Sequence, residues 1–392
     1  MRTTPKPQIP SIRVGVLGLI TITVYGSWFY AFGVLLDPII EDTGWGEAAL
    51  ASAFGISSLI AGFGGLAGGW LLDRFGSRMV FGLGALLGGG SFLIAASAGS
   101  VAVFALSAAV GGGVFASLGF YHVTQTSAVR ISPGLENRAI AVLTIWGAFA
   151  SAVFIPLAAW LLSLIDWRAT LRILTLSAAL ALALGALAVD TRDRALGAKR
   201  PPAFRKVGRA LRDGRAKRFL VSQGLAGIGV ATILVYQVPA MTAAGLALGA
   251  ASFWAGFRGF AQLGGRLPLM PIVARLGVAN SLRVSYLAIG IGSLALAFGG
   301  NHVLAAFYAI VAGFGIGAVS PLVGMHSKAV FGESSLGTAM GLVSLVFHVV
   351  GAAGPIVAGW VSEGTGSRAL PVAASAGLAV LAAVLIHRTD SD

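Results

Sequence analysis

Apolar residues come in long blocks along this chain, separated by short polar or charged joints. The blocks fall near 12–36, 48–72, 79–98, 101–128, 139–165 and 168–188. After a polar break they resume near 218–245, 249–273, 280–299, 302–327, 337–362 and 367–387. About 20 apolar residues carry an α-helix across the bilayer core, and a helix satisfies its own backbone hydrogen bonds in lipid. The pattern therefore predicts an all-α membrane protein of twelve transmembrane helices in two six-helix bundles, 1–189 and 218–392, joined by a linker at 190–217. Small residues cluster inside the blocks, as at Gly62, Gly64 and Gly65 or at Gly111, Gly112 and Gly113. In lipid such residues let helix backbones approach closely.

Composition agrees: 57% of residues are hydrophobic, 10% are charged and mean hydropathy is +0.88, whereas a soluble domain keeps roughly a quarter of its residues charged. The net charge of +13 would suit a nucleic-acid partner if it lay on one face. Instead the cations sit at block ends and in the linker, the pattern of the positive-inside rule. With the N-terminus cytoplasmic, the inner loops hold Arg74, Arg78, Arg130, Arg138, Arg275 and Lys328, and the linker adds eleven more from Arg192 to Arg218. The outer loops hold only Arg168 and Arg368, while the first of them is acidic, with Asp37, Glu41, Asp42 and Glu47. The expectation is a multi-pass protein of the inner membrane with both termini cytoplasmic. The first block is too long for a signal peptide and is read as the first span. The basic linker after Pro201 and Pro202 reads as a segment lying on the anionic leaflet or as a solvated tether.

An internal repeat supports two halves. Gly65–Arg78, GLAGGWLLDRFGSR, resembles Gly265–Ala279, GRLPLMPIVARLGVA, with Arg74, Phe75 and Gly76 recurring as Arg275, Leu276 and Gly277, 201 positions later. Parallel repeats of this kind are common in transporters.

Inside the spans an ionisable residue is a functional candidate, because a charge at mid-bilayer costs at least about 2.5–3.5 kcal/mol. All acidic residues lie in loops or near block ends, Asp37 being the nearest to an exception. The interior instead holds Arg258, Arg266, His122, His326 and His348. Arg258 lies some ten residues into its block, hence about 15 Å deep, and Gln262 and Arg266 follow it on the same helix face. A guanidinium fork suits a carboxylate; backbone carbonyls and water between helices are the structural alternative. His348, His122 and Asp37 are candidates to carry a coupling proton, although a lone histidine is more often a packing residue. Tyr25, Trp28, Tyr121, Tyr236 and Gln237 combine bulk with a polar tip, as cavity walls require; aromatic residues also line the membrane interface.

The residues Gly68, Gly69, Asp73, Arg74, Gly76 and Arg78 resemble the loop signature G-x-L-x-D-R-x-G-x-R of the major facilitator superfamily. Three further stretches resemble its monocarboxylate-transporter-like and oxalate/formate-exchanger-like branch: YGSWFYAFGV from Tyr25 to Val34, the pair Gly44 and Trp45, and the run Asp166, Trp167, Arg168. The resemblance implies a cavity between the halves, lined mainly by spans 1, 4, 7 and 10 and opened alternately to each side. It also implies a substrate-binding arginine in span 8, often with an aspartate one turn earlier, where this chain has Trp254. Asp73, Arg74, Gly76 and Arg78, with Arg266 and Arg275, become elements of a cytoplasmic gate held by charge pairs.

No glycine loop for ATP, metal-ligand spacing or catalytic constellation is present, and the absence of cysteine excludes thiolate chemistry. Neither an enzyme nor a cofactor is indicated. The function expected is secondary transport of a small organic anion, a monocarboxylate foremost, by proton symport or exchange, in a monomer. The alternative is a proton-driven exporter of hydrophobic compounds. Against it count the lack of an arginine in span 4 and of a glycine run beside Pro156 in span 5.

Overall fold

The structure, a computed structural model, describes residues 11–191, 208, 211–332 and 336–387. All regular structure among them is helical. Helix α1 (11–43) runs through Ser11–Val24, a π-helical turn at Tyr25–Tyr30 and then Phe32–Thr43. Glu47–Leu83 is interrupted at Gly76, which separates α2 (47–75) from α3 (77–96). Next come α4 (101–131), broken at Phe120, α5 (Glu136–Leu162) and α6 (Trp167–Ala188). The second half comprises α7 (Gly214–Ala243), α8 (248–276), α9 (278–297), α10 (His302–Phe331), α11 (336–365) and α12 (Ala369–Leu385).

By length and hydropathy alone, nine stretches among the described residues qualify as spans. Glu47–Ala96 passes as one stretch although it crosses twice, and α12 is only 17 residues long. Leu248–Arg266 does not qualify, because two arginines and a glutamine interrupt it. The helix that is least comfortable in lipid is therefore the one carrying Arg258.

The two halves keep one register. Pro38 inside α1 answers Pro239 inside α7, and the left-handed Gly44 answers Gly245. Ser100 and Asn301 cap α4 and α10 by accepting the amide N–H of Val103 and Leu304 at 3.4 and 3.0 Å, relieving the unpaired donors of a helix start. The non-helical Phe120 of α4 answers Pro321 of α10. Each pair is 201 positions apart. The motif glycines match most closely, with φ 78° and ψ 174° at Gly76 and φ 76° and ψ 167° at Gly277. That region is accessible essentially to glycine alone, so the short loop between spans 2 and 3 and its copy require glycine for a backbone reason.

The halves meet along three helix pairs. Helix α5 packs along α8, the far half of α1 against α7, and α2 against α11. At the first of these a Cβ on Gly259 would stand 3.0 Å from the Ala148 carbonyl oxygen and the Ala152 nitrogen, so glycine is what lets the two backbones approach. Among the described residues no comparable packing joins α4 beyond Phe120 to α10. The halves are therefore packed together at the face away from the chain ends, termed the distal face below, while α4 beyond Phe120 and α10 lack such packing toward the ends. Arg218 at the start of α7 lies 3.4 Å from His387 just past α12, which puts both on that termini side. Most of the linker lies outside the described residues, and with it the expected amphipathic surface segment.

Replacing Gly76 or Gly277 by alanine is expected to cost about 1–3 kcal/mol each. Thermal melting in detergent checks this, with Gly90→Ala, where the added methyl meets nothing within 4 Å, leaving the midpoint within error.

Candidate functional site

Arg258 is almost fully buried, at 1% exposure. Its Nε donates to Gln237 Oε1 on α7 at 3.1 Å, and the same oxygen accepts the Tyr308 hydroxyl of α10 at 2.9 Å. From the other half, the π-helical turn of α1 brings the Tyr30 ring to 6.0 Å from the guanidinium carbon, at the edge of cation–π range. No carboxylate among the described residues pairs with Arg258. Two buried donors are left without an acceptor, Arg258 Nη2 and Gln237 Nε2. Such groups are rare in folded proteins and call for a ligand, ion or water. Gln262, one turn further along α8, is also buried. Trp254, in the place of the aspartate that the family resemblance implies, donates its indole N–H to His302 at 3.1 Å.

The other candidates divide between this cluster and separate tasks. Tyr25 stacks on Phe120 with ring centres 3.7 Å apart, and its ring lies 5.3 Å from that of Tyr121. These rings sit at the break of α4. Tyr121 reaches the Thr144 carbonyl at 3.4 Å, and Arg266 donates to the same oxygen at 3.0 Å and to the Gly317 carbonyl at 3.2 Å. Arg266 thus ties α8 to α10 and, across the halves, to α5. His122 is exposed and contacts the Ser117 carbonyl at 2.9 Å, and half-buried His348 contacts the Ser344 carbonyl at 2.9 Å. One from each half, they stand against α2 near Gly65 and Gly62.

Four expectations need correction. Trp28 does not face a solute path. It is fully buried among Phe32, Phe54 and Phe92, and its N–H is donated to Ser57 at 3.0 Å. Tyr236 is buried but points away from Arg258, toward Glu47. Consecutive residues on a helix do not share a face, so Gln237 enters the cluster and Tyr236 does not. Asp37 is not a lone carboxylate, since Arg368 grips both its oxygens, at 2.5 and 2.9 Å. Finally, Asp73 does not join the halves through a charge pair. It pairs with Arg130 of its own half, which also donates to the Leu72 carbonyl at 3.1 Å. Arg74 lies over the rings of Trp70 and Phe75. Arg78 and Arg275 are exposed.

The charge pairs that do cross the halves lie on the distal face. Beyond Asp37, Arg368 at the start of α12 also holds Glu47 at 3.1 Å. Burial disfavours the Arg368 charge, but the two carboxylates outweigh it and its pKa is raised. Thr242 of α7 donates to Asp37 at 3.3 Å, and Glu363 of α11 accepts the Ala48 amide at 2.7 Å, capping α2. These contacts form a latch. Arg368, Glu363 and Thr242 went unnoticed as partners in the sequence because they are local loop or interface residues until the fold pairs them. The one available signal was the acidic first outer loop facing a sparse cation in the last. Asp166, Trp167 and Arg168 brace the same face. Asp166 caps α6 by accepting the Ala169 amide, Trp167 donates to Asp42, and Arg168 donates to the Ala98 carbonyl, at 2.7, 2.8 and 2.9 Å.

The twelve helices of the described residues, in two register-matched halves latched on one face and enclosing a buried polar cluster, have the build of a secondary transporter. The Major Facilitator Superfamily profile matches residues 17–243, more than half of the chain, and the chain belongs to that superfamily. No curated protein matches the sequence significantly. Similar solved structures include a mutant of the nucleoside transporter NupG, 16% identical with a TM-score of 0.81, covering 95% of this chain and 98% of that one. A bacterial homolog of the human lysosomal transporter Spinster, inward-facing and unoccupied, is 16% identical with a TM-score of 0.75 over 98% and 97%. The D-xylose-proton symporter is 18% identical with a TM-score of 0.71 over 97% of both chains. At these identities they show the fold. The chain is a multi-pass membrane protein of the transporter class.

Removing the latch cation should loosen the distal face. Discounted for partial exposure, its loss is expected to cost about 1–2 kcal/mol. The chain has no cysteine, so Val238→Cys, a buried position one turn before Thr242, can report on opening. In an Arg368→Gln background its labelling by a membrane-impermeant maleimide is expected to rise about tenfold.

Proposed function

We propose that this chain carries a small organic anion, a monocarboxylate foremost, across the inner membrane by alternating access. The observation that carries the reading is the buried Arg258 whose Nη2 has no acceptor, next to the equally unpaired Nε2 of Gln237. An arginine in such a place, without a carboxylate of its own, recruits an external anion to complete its charge and its hydrogen bonds. Gln262 and Tyr30 supply further polar and aromatic contact. The distal latch and the separation of α4 from α10 correspond to a state open on the termini side. The lysine and arginine distribution supports a cytoplasmic location for that side. Arg74, Gly76, Arg78 and Arg275 act at the opposite gate, which forms when the latch releases, while Asp73 stays paired with Arg130 of its own half.

The coupling proton, if transport is symport, falls to His348 or His122, the histidines that stand against α2 from the two halves. Asp37 serves the latch. The exporter alternative has no comparable observation behind it, since among the described residues no mid-membrane carboxylate is available to a cation.

In proteoliposomes, counterflow of labelled carboxylates is expected for the wild-type protein and about a 100-fold loss for Arg258→Gln, with Arg258→Lys intermediate. Extrusion of a cationic dye without anion transport would contradict the proposal. Dependence on an imposed pH gradient, lost in His348→Gln or His122→Gln, would mark symport; its absence would mark exchange.

A further inference from the structure

Gln237 Oε1 accepts two hydrogen bonds at once, from Arg258 Nε and from the Tyr308 hydroxyl. This fixes the orientation of the carboxamide by chemistry. An arginine Nε–H only donates, so the atom it meets must be the oxygen. Tyr308 takes the oxygen's second acceptor position, and the carboxamide can then offer only its NH2 to anything else. That NH2 and Arg258 Nη2 are both buried and both without acceptors. Arg258, Gln237 and Tyr308 are each at most 1% exposed, so bulk water does not supply them. The three residues stand on α8, α7 and α10, and the lock assembles only when those helices pack.

We infer that Tyr308 is a positioning residue that locks the Gln237 carboxamide with its NH2 free, so that the two open positions of the Arg258 cluster are both donors and favour carboxylates over their amides. The inference rests on the anion reading of the same site and adds the residue that sets its selectivity. A ligand that is all acceptor satisfies both orphan donors. A primary amide brings one acceptor oxygen and one NH2, and that NH2 meets another donor. Sites whose buried polar groups are left unpaired by a near-isosteric ligand discriminate strongly. A neutral glutamine also matters: a carboxylate at position 237 would accept the same two hydrogen bonds and neutralise Arg258 internally.

The test uses the full-length purified protein in detergent, titrated with acetate, lactate, benzoate and oxalate and with acetamide, lactamide, benzamide and oxamide. Binding is read by calorimetry and folding by thermal melting. The wild type is expected to bind at least one carboxylate and to prefer it to its amide. In Tyr308→Phe, carboxylate affinity is expected to fall about tenfold, roughly one hydrogen bond, while amide affinity changes less than about twofold, so the preference shrinks. Gln237→Glu is expected to keep or raise the melting midpoint and to lose carboxylate binding. An unchanged carboxylate-to-amide ratio in a folded Tyr308→Phe, or carboxylate binding retained in a folded Gln237→Glu, overturns the positioning role and leaves the anion reading standing. Absence of carboxylate binding to the wild type itself overturns both.

Discussion

One constraint organises this molecule: a guanidinium is buried inside a membrane protein with no carboxylate among the described residues to balance it. Burying a charge is costly unless it is paired and hydrogen-bonded, and in lipid the neighbouring helices and any bound solute must provide the partners. Here the helices provide only part. Gln237 accepts the Nε–H hydrogen bond, Tyr308 holds Gln237 in place, and the Tyr30 ring approaches the guanidinium from the other half. What remains unmet is Nη2 and the neighbouring carboxamide donors. The incompleteness of this cluster is the physical basis for the binding site proposed above.

In the proposed cycle the position of the cluster gives it leverage on the latch. Gln237 and Tyr236 are consecutive on α7, one turned to Arg258 and the other toward Glu47 of the latch. A solute that pulls on Gln237 therefore bears on the helix that also carries Thr242, a partner of Asp37. Ligands shift a conformational equilibrium only by binding its states differently. A shared rigid helix is a direct way for the cluster and the latch to sense each other. The tight glycine contacts of α8 on α5 and the grip of Arg266 on both halves supply a second connection.

Much of the fold was legible in the sequence, because lipid imposes a length and a composition that read off directly. The twelve blocks match twelve helices among the described residues, and the repeat noted at Gly76 and Gly277 returns as the same backbone geometry. Arg258 and Gln237 were also legible, since polar residues inside apolar blocks stand out. Tyr308 was not, because a tyrosine in a long apolar run looks like packing until its hydroxyl is seen to meet Gln237. Trp28 misled for the converse reason: an amphipathic ring on a cavity helix can turn inward, and its burial against Ser57 and three phenylalanines depends on side-chain direction that helical periodicity gives only roughly. The charge pairs of Arg368 with Asp37 and Glu47 span more than 300 positions. No local pattern contains that information.

The most direct test of the account is an experimental structure of the protein with its tightest-binding carboxylate. The account predicts density for the carboxylate within hydrogen-bond reach of both Arg258 Nη2 and Gln237 Nε2, about 2.7–3.2 Å, with Gln237 Oε1 still facing Tyr308. A carboxylate bound elsewhere, with Arg258 fully satisfied by backbone carbonyls and water, would contradict it.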